Sequence, residues 1–328
     1  MNASRALPVY LLAAVAVVAA PAPAAPTPPP PAASPAPPAK KKESEWVFSL
    51  LPKSLQKNPR LELTVITEMT DAGRKLPPVS PSQPAYVELF SPGPRHLGHA
   101  AGNDATLKQP EIERLLVRAL GATGYLPATP PEQRPSLLII YTWGSHNLLT
   151  EGDAENPVLS GEMLARNMLD RAGLVGGEKF AREMLKLFQE ADALSLAARA
   201  PPPPGGEPVL TPELVAFVNP VEQFKRRSYK NEAMVDQAAS DVYYVVASAY
   251  DYRSAATSQK ILLWRTRMTV ASAGVSAAMS LPTLVLTAGP YFGKDMPEPE
   301  ILSKRSLREG NVEIGTPTVV EDKPATKK

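Results

Sequence analysis

Hydrophobic positions along the chain follow two different periods. In LELTVITEM, residues 61–69, Leu61, Leu63 and Val65 alternate with Glu62, Thr64 and Ile66. That is mostly the period of two of a strand. AYVELFSPG predicts a second strand at 85–91, ended by Pro92, and the proline-rich DAGRKLPPVSPSQP between them reads as a loop. In QPEIERLLVRALGATGY the period lengthens. Ile112, Leu115, Leu116, Ala119 and Leu120 make one apolar stripe, while Glu111, Glu113, Arg114 and Arg118 face outward. Pro110 suits the first turn of this helix, and Gly121 or Gly124 its end. Leu137–Tyr141 is a continuous apolar run, which predicts a strand covered on both faces and central in its sheet.

The middle of the chain is helical in period. SGEMLARNMLDRAG and GGEKFAREMLKLFQEADALSLAARA carry Phe180, Met184, Leu187, Phe188 and Ala191 at helical spacing. PPPPGGEP, residues 201–208, is a break. Thr211 then reads as an N-cap with Pro212 at the first helical position. VNPVEQFKRRSYKNEAMVDQAASD predicts one or two short helices. DVYYVVASAYDY (241–252) and KILLWRTRMTV (260–270), joined by the polar RSAATSQ, predict a hairpin. Arg265 and Arg267 share one face of its second strand, and Trp264, Thr266 and Met268 the other. Residues 268–293 carry no charge and are long enough to span a bilayer, so a bitopic membrane protein is one alternative. Their content of Ala, Ser, Thr and Gly, with Pro282 in the middle, makes a poor hydrocarbon solute. The preferred reading is the end of a strand followed by a small-residue helix packed on the sheet.

These elements predict an α+β fold: a single mixed β-sheet of about five strands with helices packed on it. Residues 46–295 form the domain, 151–235 its helical insert, and the Pro-rich, charged stretch 296–328 a disordered tail.

The N-terminus changes the picture. MNASRALPVYLLAAVAVVAA carries one positive charge, Arg5, and an uncharged apolar run from Val9 to Ala20. Ala22-Pro23-Ala24 offers a small-residue cleavage pattern. This is the layout of a secretory signal peptide, residues 1–24, and implies export to the periplasm or cell envelope. The apolar run is short of the roughly 20 residues that a membrane span needs. Residues 25–45 are Pro- and Ala-rich and predict an extended tether, on the order of 60 Å long together with the residues just before it. Cysteine is absent, which excludes disulfides, thiolate metal sites and Cys nucleophiles. The net charge of +2, with both signs interspersed, gives no case for a nucleic-acid partner.

Candidate chemistry is sparse. Ser145 and His146, where the apolar run of SLLIIYTWGSHN ends, are the sharpest catalytic candidates. A serine nucleophile needs a base within hydrogen-bond reach. Neighbours on an extended chain point to opposite faces, so His146 does not readily serve Ser145. The surroundings also lack the G-x-S-x-G elbow. The sequence therefore reads better as a turn, for which Gly-Ser-His-Asn is ordinary composition. His96 and His99, with Asp104 nearby, are the candidate metal ligands, but a closed zinc site needs about four ligands and Cys supplies none. KRRSYK (225–230), flanked by Glu222, Glu232 and Asp236, reads as a solvated helix face rather than a lipid or phosphate contact. AGLVGG (172–177) lacks the Lys-Ser/Thr of a P-loop. Asp251, at the hairpin turn, has a backbone role. No cofactor is implied.

ALGATGY, PSLLIIYTW and VVASAYDY…QKILLWRTR together resemble a broad group of exported bacterial envelope domains of unknown function, built on a small mixed sheet. The resemblance covers 109–147 and 241–270. It implies an exported α+β domain and no activity, and the chain departs from the group by lacking a lipid-acceptor Cys. The resulting expectation is a non-enzymatic protein with a binding or structural role toward a protein or cell-envelope partner, the helical insert supplying its surface. Membrane association is a lesser alternative. The alternative from another class is a hydrolase using His146 with Ser145 or a distant carboxylate.

Overall fold

A computed structural model describes residues 53, 56, 59–98, 107–149, 161–199, 211–257 and 259–305. All of these lie in one compact unit, Ser49–Lys328. The signal-peptide and tether readings, His99 and Asp104 fall outside the described residues.

Seven strands form one sheet: β1 (Arg60–Met69), β2 (Ala85–Phe90), β3 (Tyr125–Pro127), β4 (Leu137–His146), β5 (Val242–Asp251), β6 (Leu262–Ala271) and β7 (Glu300–Arg305). Their order is β3-β2-β4-β5-β6-β1-β7. β2 runs parallel to β3 and β4, and the other neighbours are antiparallel, so the sheet is mixed. The α+β class holds, but seven strands replace the expected five or so. The two extra strands sit at the sheet's edges. β3 has only three residues, too few for a period to show. β7 lies within the stretch read as a disordered tail, and it pairs with β1 from Arg60↔Arg305 to Val65↔Glu300. That correction moves the end of the fold to at least Arg305.

One face of the sheet is dry. Leu63 and Val65 of β1, Ile139, Tyr141 and Trp143 of β4, and Met268 and Val270 of β6 pack there. Beyond the one-turn α1 (Asp71–Arg74) that follows β1, the helices α2 (Gln109–Gly121) and α8 (Ala277–Ala288) cover them, through Ile112, Leu116 and Leu120 and through Leu281, Leu284 and Val285. Both helices follow their sequence pattern: Pro110 lies in the first turn of α2, and Ser276 caps α8 by accepting from Met279 N–H. The uncharged run 268–293 is thus divided between the end of β6, the twelve-residue α8 and a 3-10 turn at Gly289–Tyr291. No helix among the described residues is long and apolar enough to cross a membrane, and the run that the bitopic alternative rested on is not one continuous helix.

The other face is covered by the segment between β4 and β5. It contains α3 (Gly161–Arg199), α4 (Pro212–Phe217), α5 (Pro220–Arg226) and α6 (Tyr229–Ala238). Thr211 caps α4, accepting from Leu214 N–H at 3.3 Å. Ala172, Val175, Phe180, Met184, Phe224 and Met234 form a second apolar cluster among these helices. The sheet residues beneath are mostly polar or charged: Thr64, Glu68, Arg265, Arg267 and Thr269, with Ile66 among them. That pattern was visible in the alternation of β6. It prevents the insert from closing on the sheet as α2 and α8 do, because buried charges need partners.

α3 kinks where the sequence reads GG. Gly177 has φ 77° and ψ −171°, which is not helical. A Cβ there would lie 2.6 Å from Glu68 Oε1. The kink frees the Glu178 N–H, which donates to that same Oε1 at 2.8 Å. A strand carboxylate thus caps the second limb of α3, where the helix dipole favours negative charge.

Candidate functional site

The polar sheet face and the kinked insert enclose a groove of about 570 Å³, within the usual range for ligand sites of about 300–1,000 Å³. Ile66, Phe180, Phe224 and Met234 make its apolar floor. The Phe180 and Phe224 rings stack at 6.2 Å between centroids. Residues 295–299 form one wall and are fastened at both ends. Asp295 accepts from Arg74 Nε at 2.9 Å and from the Met69 N–H at 3.1 Å. The Arg74 guanidinium holds the Asp295 carboxyl below the usual carboxylate range. Met296 N–H donates to the Thr67 carbonyl at 2.9 Å. Lys230 pairs with Glu298 at 2.8 Å and lowers its pKa likewise.

Charges inside the groove are not all neutralised. Glu68 and Arg265 are cross-strand neighbours on β1 and β6, yet Glu68 is committed elsewhere. It pairs with Arg267, whose second Nη lies 3.6 Å from Glu178, and it caps the Glu178 N–H. Arg265 instead donates Nε to Ser248 Oγ at 3.0 Å and has no carboxylate partner among the described residues. Lys179 and Arg182, at the start of the second limb of α3, also line the groove without an ion pair among the described residues. Against these three cations stand Glu183, without an ion pair among the described residues, and Glu178, which shares Arg267 with Glu68.

Ser145, His146 and His96, the candidate residues among those described, do not line this groove. Trp143, Gly144, Ser145 and His146 are not a turn, as expected from their composition, but the last residues of β4, paired with β5 from Trp143↔Val245 to His146↔Val242. The strand continues because a second segment takes its free edge. Arg95 N–H donates to the Trp143 carbonyl at 2.8 Å, Leu97 N–H to Ser145 at 2.9 Å, and Asn147 N–H to Leu97 at 2.8 Å. Gly144, with φ 156°, is required there because a Cβ would collide with the Arg95 carbonyl.

Ser145 and His146 lie on opposite faces of the sheet, as strand geometry dictates. Ser145 Oγ is instead 3.0 Å from Nδ1 of His96, an exposed residue. No carboxylate hydrogen-bonds this His96 ring among the described residues, and neither residue lines a described cavity. His146 is buried with no hydrogen-bond partner for Nδ1. Burial lowers its pKa, with the Arg171 charge adding to the effect. Arg171 is 1% exposed and is held by carbonyls: Ala238, at the end of α6, accepts from Nε at 2.6 Å, and Asn147 from Nη1 at 3.1 Å. This cluster fastens the insert to the end of β4. For metal binding, no group of three or more His, Asp or Glu is arranged to hold an ion among the described residues. Asp251 has the expected backbone role, accepting from Ser254 N–H at 2.8 Å to cap α7 (Tyr252–Ala256).

No family model and no curated protein matches this chain. Among solved structures, a dodecameric PelC variant from Paraburkholderia phytofirmans is similar at 8% identity, covering 70% of this chain and 99% of that one, with a TM-score of 0.25. A likeness at that level carries no argument about this chain.

Proposed function

We propose that the chain is an exported, non-enzymatic binding protein whose ligand lies in the groove between the helical insert and the sheet. The groove itself carries the reading: about 570 Å³ with an apolar floor, charged walls and a fastened loop on one side. Concave, largely apolar sites with a few converging polar groups are the usual form of ligand pockets. The signal-peptide layout of residues 1–24 supports export.

N-phenyl-1-naphthylamine, an uncharged fluorophore that brightens in apolar surroundings, tests this directly. It should bind the purified chain saturably. Leu262→Trp, which enlarges a half-buried lining residue, should abolish the signal while leaving circular dichroism unchanged. Equal brightening by the folded variant would show that the groove is not the site.

A further inference from the structure

The groove's charge balance names a ligand class. We infer that the groove receives a single-chain anionic amphiphile of the fatty-acid type, its carboxylate held by Arg265 with Arg182 and Lys179 beside it, and its alkyl chain laid over Ile66, Phe224 and Met234. This inference rests on the groove being the ligand site.

Three observations carry it. The first is the state of Arg265. Its cross-strand carboxylate, Glu68, is committed to Arg267 and to the Glu178 N–H, so among the described residues the guanidinium keeps the Ser248 hydroxyl at 3.0 Å and no acid. A guanidinium offers five N–H donors in a planar fork that matches a carboxylate. One of those donors is spent on Ser248, and the rest are free of acidic partners among the described residues. The second is the sign of the excess. Among the described residues Lys179, Arg182 and Arg265 lack ion pairs, against Glu183 and against Glu178, which shares Arg267 with Glu68, whereas Arg74 and Lys230 on the opposite wall are each matched. Three cations against two carboxylates leave an excess of one positive charge on the side of the groove that α3 and β6 form. The third is the floor. Ile66, Phe180, Phe224 and Met234 line the groove and carry no hydrogen-bonding side-chain groups. A purely polar anion would leave that surface wet, and an uncharged hydrocarbon would leave the cations without a counterion. An anionic head on an alkyl chain satisfies both.

Displacement of N-phenyl-1-naphthylamine by three twelve-carbon probes below their micellar concentrations tests the inference. Dodecanoate should displace the fluorophore at about one-tenth the concentration that dodecan-1-ol needs, and dodecylammonium should be the weakest. Arg265→Gln should raise the dodecanoate requirement about tenfold and leave that of dodecan-1-ol unchanged. The exposed Arg182→Gln, which cannot disturb the sheet, should give a smaller shift in the same direction. Equal displacement by the acid and the alcohol, or a preference for dodecanoate that survives both substitutions, would overturn the anionic ligand and leave the groove reading standing. Displacement by none of the three, with the fluorophore also failing to respond to Leu262→Trp, would overturn the groove reading itself and this inference with it.

Discussion

Removing the Glu68 side chain should cost more than its position near the end of an edge-proximal strand suggests. The carboxylate has two tasks: it caps the second limb of α3 at the Glu178 N–H, 2.8 Å away, and it neutralises Arg267. Loss of an N-cap acceptor typically costs about 1 kcal/mol. The Arg267 side chain is 8% exposed, and its remaining carboxylate, Glu178, lies 3.6 Å away. Stranding a buried charge costs about 3–5 kcal/mol. The 27% exposure of Glu68 and the residual Glu178 contact bring that term down to about 2 kcal/mol. Glu68→Ala should therefore lose about 3 kcal/mol in urea unfolding followed by circular dichroism. Glu68→Gln keeps a cap acceptor and should lose about 2 kcal/mol. The double variant with Arg267→Met should lose less than the sum of the single losses, by at least about 1.5 kcal/mol, because no stranded charge is left. A cost below about 1 kcal/mol for Glu68→Ala, or strict additivity in the cycle, would refute the two-task reading.

Gly144→Ala should destabilise the fold by more than about 2 kcal/mol, measured in the same urea assay, because the new Cβ meets the Arg95 carbonyl and the bonds of Arg95 and Leu97 hold that segment in place. His146 gives a pH signature. Its folded-state pKa lies below the ordinary 6.5, so the unfolded chain takes up a proton that the folded chain refuses. Its contribution is fully present above pH 6.5 and declines as the pH falls toward the folded-state pKa, by at most about 1.4 kcal/mol per pH unit. His146→Gln should remove that component, so urea midpoints of the two proteins should converge as the pH falls; parallel profiles would contradict it. N-terminal sequencing of the protein recovered from the periplasm should begin at Ala25, and recovery of the intact chain from the cytosol would refute export.

Much of this fold was legible because its dry face is built from long, regular patterns. The stripe of α2, the hairpin of β5 and β6, and the caps at Thr211 and Asp251 all follow from local sequence. Arg265 and Arg267 were assigned to one face of β6 from alternation alone. What escaped depended on partners distant in sequence. Thr142–His146 carry glycine and polar residues, and they hold strand geometry because Arg95 and Leu97 bond to them from fifty residues away. β7 has three charged residues in six and survives as an edge strand paired on one side only. The groove was invisible for the same reason. Glu68 at the end of a strand and the Gly177 kink in the middle of a helix give no local hint that the first caps the Glu178 N–H that the second frees, and that contact, with the Arg267 pair, commits Glu68 away from Arg265.

The most direct test of the groove as the ligand site is a crystal structure of the chain grown with dodecanoate. The alkyl chain should lie over Ile66 and Phe224, with its carboxylate at about 3 Å from the Arg265 guanidinium. Dodecanoate bound elsewhere on the protein, with only water over Ile66 and Phe224, would contradict it.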